Sequence, residues 1–113
     1  MRNIFNKLNI AKTRSLTADE AREFSAFYAQ EKINEIVSAW MQSCDEHIEM
    51  AVNEGKFNTS VETPLIFRYE PSKILVPAMS EVKNRLRARG YKVDLAAGIV
   101  GLYISWEVEN DER

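Results

Sequence analysis

The fold is decided between residues 17 and 55, by the stretch TADEAREFSAFYAQEKINEIVSAWMQSCDEHIEMAVNEG. This stretch begins with a capping box, in which Thr17 can cap a helix start while Glu20 reaches back to the Thr17 amide. Apolar residues then recur every three to four positions, and no Pro or Gly interrupts the chain before Gly55. The spacing predicts an amphipathic helix over residues 17–54, with Gly55 as its natural stop.

A helix of that length is too long for a chain of 113 residues to cover by itself. Residues 17–54 number 38, and at ~1.5 Å per residue they span ~57 Å. A compact chain of this size has a radius of gyration of only ~13 Å. The helix therefore either breaks near Gln30–Lys32, where the apolar stripe lapses, or is covered by a second copy of the chain. The second alternative predicts a homo-oligomer.

Beyond Gly55 the hydrophobic period changes to the alternation that is typical of a β-strand. Phe57, Thr59 and Val61 alternate with Asn58, Ser60 and Glu62, and Pro64 ends this strand or lies at an edge or bulge. The apolar run at residues 65–69 either extends the strand or forms a second short one.

A second helix and a hairpin are predicted in the last part of the chain. Pro77 is tolerated only in the first turn of a helix, so this helix should begin near residues 73–76, and Gly90 should end it. Residues 91–95 and 102–108 both alternate and are rich in β-branched and aromatic side chains, which predicts two strands joined by a turn.

The element order is therefore helix, strand, helix, strand, strand. It predicts an α+β fold in which a long N-terminal amphipathic helix precedes a β-α-β-β arrangement, with a small antiparallel sheet packed on the helices. We expect a basic N-terminal arm at residues 1–16, a single α+β domain at residues 17–108 and an acidic tail at residues 109–113.

Composition excludes several classes of protein. The hydrophobic fraction of 45% is too high for a disordered chain. The single Cys excludes an intrachain disulfide and a multi-cysteine metal cluster. No apolar run approaches the ~20 residues needed to cross a bilayer, and no signal peptide is evident. We expect a soluble, intracellular protein with no membrane partner.

Charge is distributed unevenly along the chain. Residues 1–16 have four basic residues and no acid (+4), whereas residues 17–56 have nine acids and three basic residues (−6). Residues 57–113 have eight of each and are neutral. A basic arm beside an acidic helix favours self-association or a protein partner over nucleic acid. The residues expected to bind the partner are Ile4, Phe5, Leu8, Phe24, Phe27 and Tyr28.

Cys44-x-x-His47 is the one spacing that is typical of a metal site or of a nucleophile with its base. A zinc site requires further ligands, and the chain has no second Cys or His. Cys44 also lies on the apolar stripe of the helix, and the neighbouring acids would raise its pKa. We therefore expect Cys44 to be a core residue, and we expect no catalytic residue, no metal ligand and no cofactor.

The aromatic residues divide between the core and the surface in this interpretation. Trp40 and Trp106 lie on predicted core stripes. Tyr103 lies on the opposite strand face from Trp106, where it could form an interaction patch near Phe57 if that sheet face is exposed.

A basic cluster supports an alternative function, nucleic-acid binding through the second helix and the following hairpin. A helix with this character before a hairpin looks like the recognition helix and wing of a winged-helix DNA reader. Phosphate contacts of this kind would make binding fall steeply with salt. The cluster consists of Lys83, Arg85, Arg87, Arg89 and Lys92.

Four short motifs at fixed places along residues 18–106 point to a family. They are Ala21-Arg22-Glu23, the Ala51–Gly55 helix end, Gly90-Tyr91-Lys92-Val93 and Ile104-Ser105-Trp106. In this pattern the chain resembles a widespread family of small bacteriophage-encoded α+β proteins of unknown function. The resemblance implies a non-catalytic accessory or virion-associated protein, located in the host cytoplasm or the virion and acting on a phage or host protein. A second alternative is an oligomer that sequesters a small host signalling molecule.

Overall fold

The computed structural model describes residues 15–96 and 101–108, and it confirms the α+β class. The predictions for the arm with Ile4, Phe5 and Leu8, and for the acidic tail, lie outside the described residues. The described elements are helix α1 (Ala18–Asn53), strand β1 (Asn58–Glu62), a 3₁₀ turn (Leu65–Phe67), helix α2 (Ser72–Ala88), strand β2 (Lys92–Leu95) and strand β3 (Gly101–Ser105). Neither of these helices has the length and apolar character that crossing a membrane would require.

Both ends of α1 form as the sequence predicts. The Thr17 amide donates to Glu20 Oε1 at 3.0 Å, and the Glu20 amide donates to Thr17 Oγ1 at 3.1 Å. At the other end, Gly55 has a φ of 76°, which a residue with a side chain rarely adopts. The Lys56 amide then reaches back to the Ala51 carbonyl at 2.9 Å, completing a Schellman-type end.

The helix α1 is continuous over 36 residues, and no break occurs at Gln30–Lys32. The chain nevertheless divides into two compact units, residues 1–32 and residues 33–113, and the boundary falls within α1. The second unit holds the later part of α1, together with α2 and the whole sheet. The predicted separation into arm, domain and tail stays a prediction.

The sheet has the strand order β1-β3-β2, and both pairings are antiparallel. One face presents Val61, Val93, Leu102 and Ile104, which are all buried. The alternate residues lie on the other face, where Tyr103 stands between Ser60 and Asp94 and all three are exposed. The sheet therefore buries its apolar face and presents a largely polar one, as expected when one face packs on the core.

The core of the second unit joins both helices to that buried face. The helix α1 supplies Ile36, Val37, Trp40, Met41, Cys44, Ile48 and Ala51, and α2 supplies Ile74, Leu75, Ala78, Val82 and Leu86. These positions recur every three to four residues, so the apolar stripes that predicted the helices are the stripes that they bury.

Two predictions for the central stretch are wrong. Residues 65–69 do not extend a strand, because Leu65–Phe67 form a 3₁₀ turn that begins at Pro64 and buries Phe67. The helix α2 begins at Ser72, earlier than expected, so that Pro77 lies inside it. Pro77 is exposed, and its missing N–H costs one helical hydrogen bond without burying an unpaired group.

Substitution of Thr17 by alanine is expected to destabilise the first turn of α1. The variant loses the side-chain acceptor of the Glu20 amide, and loss of such a cap costs about 1 kcal/mol. Hydrogen exchange of the amides at residues 18–21 should become faster in Thr17→Ala, whereas the amides near Val82 should be unaffected. Unchanged exchange at residues 18–21 would show that the capping box does not hold this end.

Candidate interaction site

The Cys44-x-x-His47 pair does not form a reactive centre in the described structure. Cys44 is fully buried. Burial and, to a smaller extent, the charge of Asp45 raise the pKa of its thiol to about 12, and the charge of Arg89 acts in the opposite direction. The His47 ring is held by its own helix, since Nδ1 donates to the Ser43 carbonyl at 2.8 Å. Among residues 15–96 and 101–108, no group of three or more His, Cys, Asp or Glu is placed to hold a metal ion. Cys44 thus packs in the core, as its place on the apolar stripe predicts.

The thiol of Cys44 is therefore expected to resist alkylation in the folded protein. A rise of the pKa from 9.0 to about 12 lowers the thiolate fraction roughly a thousandfold near neutral pH. Maleimide labelling at pH 7 should be slow in buffer and fast in urea, as followed by mass spectrometry. Because the pKa of this thiol is 9.0 when unperturbed and about 12 in the folded chain, its contribution to the free energy of unfolding should be present below pH 9 and should be lost as the pH rises toward 12. Cys44→Ala should not show this decrease in stability above pH 9. Rapid labelling in buffer would contradict the buried position.

The basic cluster is largely used within the fold. Arg85 Nε donates to Glu81 Oε2 at 2.8 Å, and Arg89 Nη1 donates to Asp45 Oδ1 of α1 at 2.8 Å. The hydrogen bond from Arg89 to Asp45 also raises the pKa of Arg89. Each of these arginines thus has a carboxylate beside it, which lowers the positive potential that a phosphate backbone would meet.

The remaining members of the cluster do not form a single basic face. Arg87 Nη2 donates to the Val93 carbonyl at 2.7 Å and so joins α2 to the outer side of β2. Lys83 is partly buried on α2, whereas Lys92 is exposed on β2 opposite Ser105. The arrangement stabilises the contact between α2 and the hairpin, and it offers less to nucleic acid than the sequence pattern suggests.

An aromatic row lies at one end of the sheet. The Trp106 amide donates to the Phe57 carbonyl at 3.0 Å, and the Trp106 and Tyr91 rings meet edge to face at 5.9 Å. Trp106 is only partly buried, so its assignment to the core is wrong: β3 ends at Ser105, and the ring lies at the margin of the buried face. Phe57, just before β1, is exposed.

The described residues of the predicted partner-binding set do not behave alike. Phe24 is only 6% exposed, so its ring is not presented to a partner. Phe27 is partly buried and meets Tyr28 edge to face at 5.4 Å, and Tyr28 is the most exposed of the three. Only Tyr28 is thus plainly at the surface.

Among the described residues, three strongly exposed apolar side chains lie close together in sequence, at Leu65, Ile66 and Tyr69, which are 69%, 81% and 93% exposed. We call residues 65–69 the apolar turn. Its backbone is held in place, because Phe67 is buried and Arg68 Nη2 donates to Glu62 Oε1 at 3.1 Å and to the Thr63 carbonyl at 3.3 Å.

The sequence contained a signal for this surface that the strand prediction concealed. Pro64 and Pro71 lie on either side of the apolar turn. Because proline cannot donate a backbone hydrogen bond to a sheet, two prolines seven residues apart make a strand between them unfavourable. With the strand excluded, the four large apolar residues Leu65, Ile66, Phe67 and Tyr69 cannot all point inwards from so short a turn. Exposure of some of them follows.

Comparisons with protein-family models, curated proteins and solved structures found no match. The resemblance to small phage proteins therefore depends on its motifs alone. In the structure, Gly90 has a φ of 99° and follows α2, while Lys92–Val93 and Ile104–Ser105 are strand residues. These two motifs thus lie at the end of α2 and on two paired strands.

Proposed function

We propose that this protein acts through protein–protein contacts, without catalysis, and that it self-associates. The observation that carries the proposal is the apolar turn, where Leu65, Ile66 and Tyr69 extend into solvent from a backbone that is held in place. Exposed apolar patches of this kind mark interaction surfaces on soluble proteins.

The energetics of the apolar turn favour an interface. Burial of a large apolar side chain is worth about 1.5–3 kcal/mol relative to full exposure. The buried Phe67 and the Arg68–Glu62 pair hold the turn before any partner arrives, so association orders little new backbone. If a partner covers two or three of these side chains, their burial supplies a large part of the binding free energy of a stable contact.

The proposed absence of catalysis is supported by Cys44 and His47, the two residues whose spacing in the sequence was typical of a nucleophile and its base. Cys44 is buried with a raised pKa, and the His47 ring is bonded to its own helix. Among the described residues, the most exposed large apolar side chains are Tyr69, Val108 and Ile66. Those side chains are suited to contact a protein surface.

The biological setting that we propose is a phage-encoded accessory or virion-associated protein, present in the host cytoplasm or the virion and contacting a phage or host protein. This part depends on the motif resemblance. Mass spectrometry of purified virions tests it, because a virion component would be abundant there. A host-takeover factor would be scarce in virions and enriched in infected cells, and absence from both preparations would overturn this setting.

Size-exclusion chromatography with light scattering tests self-association. We expect the wild-type chain to exceed its monomer mass of 13.0 kDa at micromolar concentration. The double variant Ile66→Ser, Tyr69→Ser should shift toward the monomer. Val108→Ser is the matched control, because Val108 is equally exposed but lies outside the turn. A strictly monomeric wild type would overturn the proposal, as would a double variant that associates as well as the control.

A further inference from the structure

We propose that β1 is the strand through which two copies of this chain pair, antiparallel, with Ser60 on the two-fold axis. The inference rests on the self-association proposed above and names the surface that carries it. In the resulting dimer, the three-stranded sheets of the two copies would join into one sheet of six strands in the order β2-β3-β1-β1-β3-β2.

The direction of the backbone groups in β1 leaves one side of the strand open. The Trp106 amide bonds to the Phe57 carbonyl, and hydrogen-bonded pairs alternate along an antiparallel ladder. Thr59 and Val61 therefore bond toward β3, whereas Asn58, Ser60 and Glu62 direct their N–H and C=O groups outward. Within the described residues, no hydrogen bond is made to the outward backbone groups of Asn58 or Ser60.

The opposite edge of the sheet is partly occupied, at Val93 of β2. The Ala96 amide bonds to the Gly101 carbonyl, so the same alternation turns the backbone groups of Val93 outward on β2. The outward Val93 carbonyl accepts a hydrogen bond from Arg87 Nη2 at 2.7 Å. A side chain bonded to an edge carbonyl hinders the addition of another strand there. Among the described residues, β1 has no such contact at Asn58 or Ser60, and we therefore place the pairing on β1.

The open stretch of β1 has defined ends, and they determine the register. On one side, the next outward N–H belongs to Lys56, and it is already used by the Ala51 carbonyl at 2.9 Å. On the other side, the next outward position is Pro64, which has no N–H. The free ladder thus runs from Asn58 to Glu62, and its centre is Ser60. Pairing of the whole ladder with its own copy places Ser60 opposite Ser60, and Asn58 opposite the partner's Glu62.

This register brings no like charges opposite each other, since Glu62 lies opposite the partner's Asn58 and diagonal to the partner's Lys56. Within one chain Glu62 pairs with Arg68 and Lys56 pairs with Glu54, and the two-fold axis would add the attraction between Glu62 and Lys56 twice. Leu65 and Ile66 come after Thr63 and Pro64, which follow β1, and they would extend toward the end of the partner's α1. Met50 and Val52 are exposed at that helix end, and the apolar turn would meet apolar side chains there.

Residue-specific disulfide formation tests the register. Opposed residues of a hydrogen-bonded antiparallel pair have Cα atoms about 5.5 Å apart, within the ~4.4–6.8 Å that a disulfide spans. Ser60→Cys should therefore form a covalent dimer of twice the 13.0 kDa chain mass under mild oxidation. Asn58→Cys is the matched control, because two copies of residue 58 would be four strand residues apart, or ~13 Å. The wild type contains only the buried Cys44 and should not cross-link.

The outcomes distinguish a failure of the proposed β1 pairing from a failure of the proposed self-association. Cross-linking of Ser60→Cys but not of Asn58→Cys supports the register, and equal cross-linking of both variants overturns it. An oligomeric wild type with no Ser60→Cys cross-link overturns β1 pairing and leaves self-association standing, whereas a monomeric wild type overturns both. If Ser60→Cys does not fold, Lys56→Glu should weaken the dimer, because it places a second carboxylate diagonal to the partner's Glu62, and Lys56→Gln should weaken it less. A Lys56→Glu dimer as stable as that of the wild type counts against the register.

Discussion

Replacement of Trp40 by alanine is expected to lower the free energy of unfolding by about 3–5 kcal/mol, the range for deletion of a large aromatic side chain from a core. Trp40 is fully buried and lies on α1 with Ile36, Cys44 and Met41, which are also buried. Truncation would leave a cavity that these neighbours cannot fill, because a core residue in a helix has little freedom to move inward.

Phenylalanine at the same position should be far less costly. The Trp40 Nε1 atom is buried and has no hydrogen-bond partner among the described residues. A buried unpaired donor carries a penalty of about 1–3 kcal/mol, and Trp40→Phe removes that donor together with part of the ring. The relief offsets much of the lost packing, so we expect Trp40→Phe to cost less than half as much as Trp40→Ala.

Urea unfolding followed by circular dichroism measures both variants at one fixed protein concentration, because self-association would make the apparent stability depend on concentration. Gln42→Ala is the control, since Gln42 lies on the same helix, two turns before Met50, and is exposed. Losses for Trp40→Ala no larger than for Gln42→Ala would show that the ring does not pack as described. Equal losses for Trp40→Ala and Trp40→Phe would show that the indole N–H has a partner.

Replacement of Leu102 by alanine is expected to cost about 2–5 kcal/mol, whereas replacement of the next residue, Tyr103, should cost much less. Leu102 is fully buried on the central strand β3, between Val61 and Leu95 of the two neighbouring strands. Tyr103 points to the other face and is exposed. The two substituted residues are adjacent in sequence, but one lies on the buried face of the sheet and the other on the exposed face.

This comparison measures the register of the sheet directly. A shift of one residue would exchange the two faces, and Tyr103 would then be the sensitive position. Chemical unfolding of Leu102→Ala and Tyr103→Ala, side by side with the wild type, is sufficient. A larger loss for Tyr103→Ala, or equal losses, would contradict the pairing of Leu102 with Val61.

Local chemistry explains why several features were predictable from the sequence. The capping box at Thr17 and Glu20 involves residues three apart, and the Gly55 stop depends on a backbone angle that glycine adopts easily. The burial of Trp40 and Cys44 follows from a repeat of three to four residues along one helix. In each case the groups that interact are close neighbours along the chain.

Other features depended on contacts that no local pattern contains. Arg89 looked like a phosphate ligand, yet its carboxylate partner Asp45 is 44 positions away. Trp106 looked like a core residue because it continues the alternation of β3, but the strand ends one residue earlier. The apolar turn was expected to be a strand, and only its contacts through Phe67 and Arg68 show which of its side chains remain in solvent.

The sequence by itself determined the helices, the strands and the class of fold, because hydrophobic period, caps and turn residues act over a few positions. Only the tertiary structure decided that β3 lies between β1 and β2, since strand order depends on pairings between segments that are distant along the chain. That order decides which backbone groups remain free. Among the described residues, it leaves the outward backbone groups of Asn58 and Ser60 on β1 without a partner, whereas on β2 the outward Val93 carbonyl is bonded to Arg87.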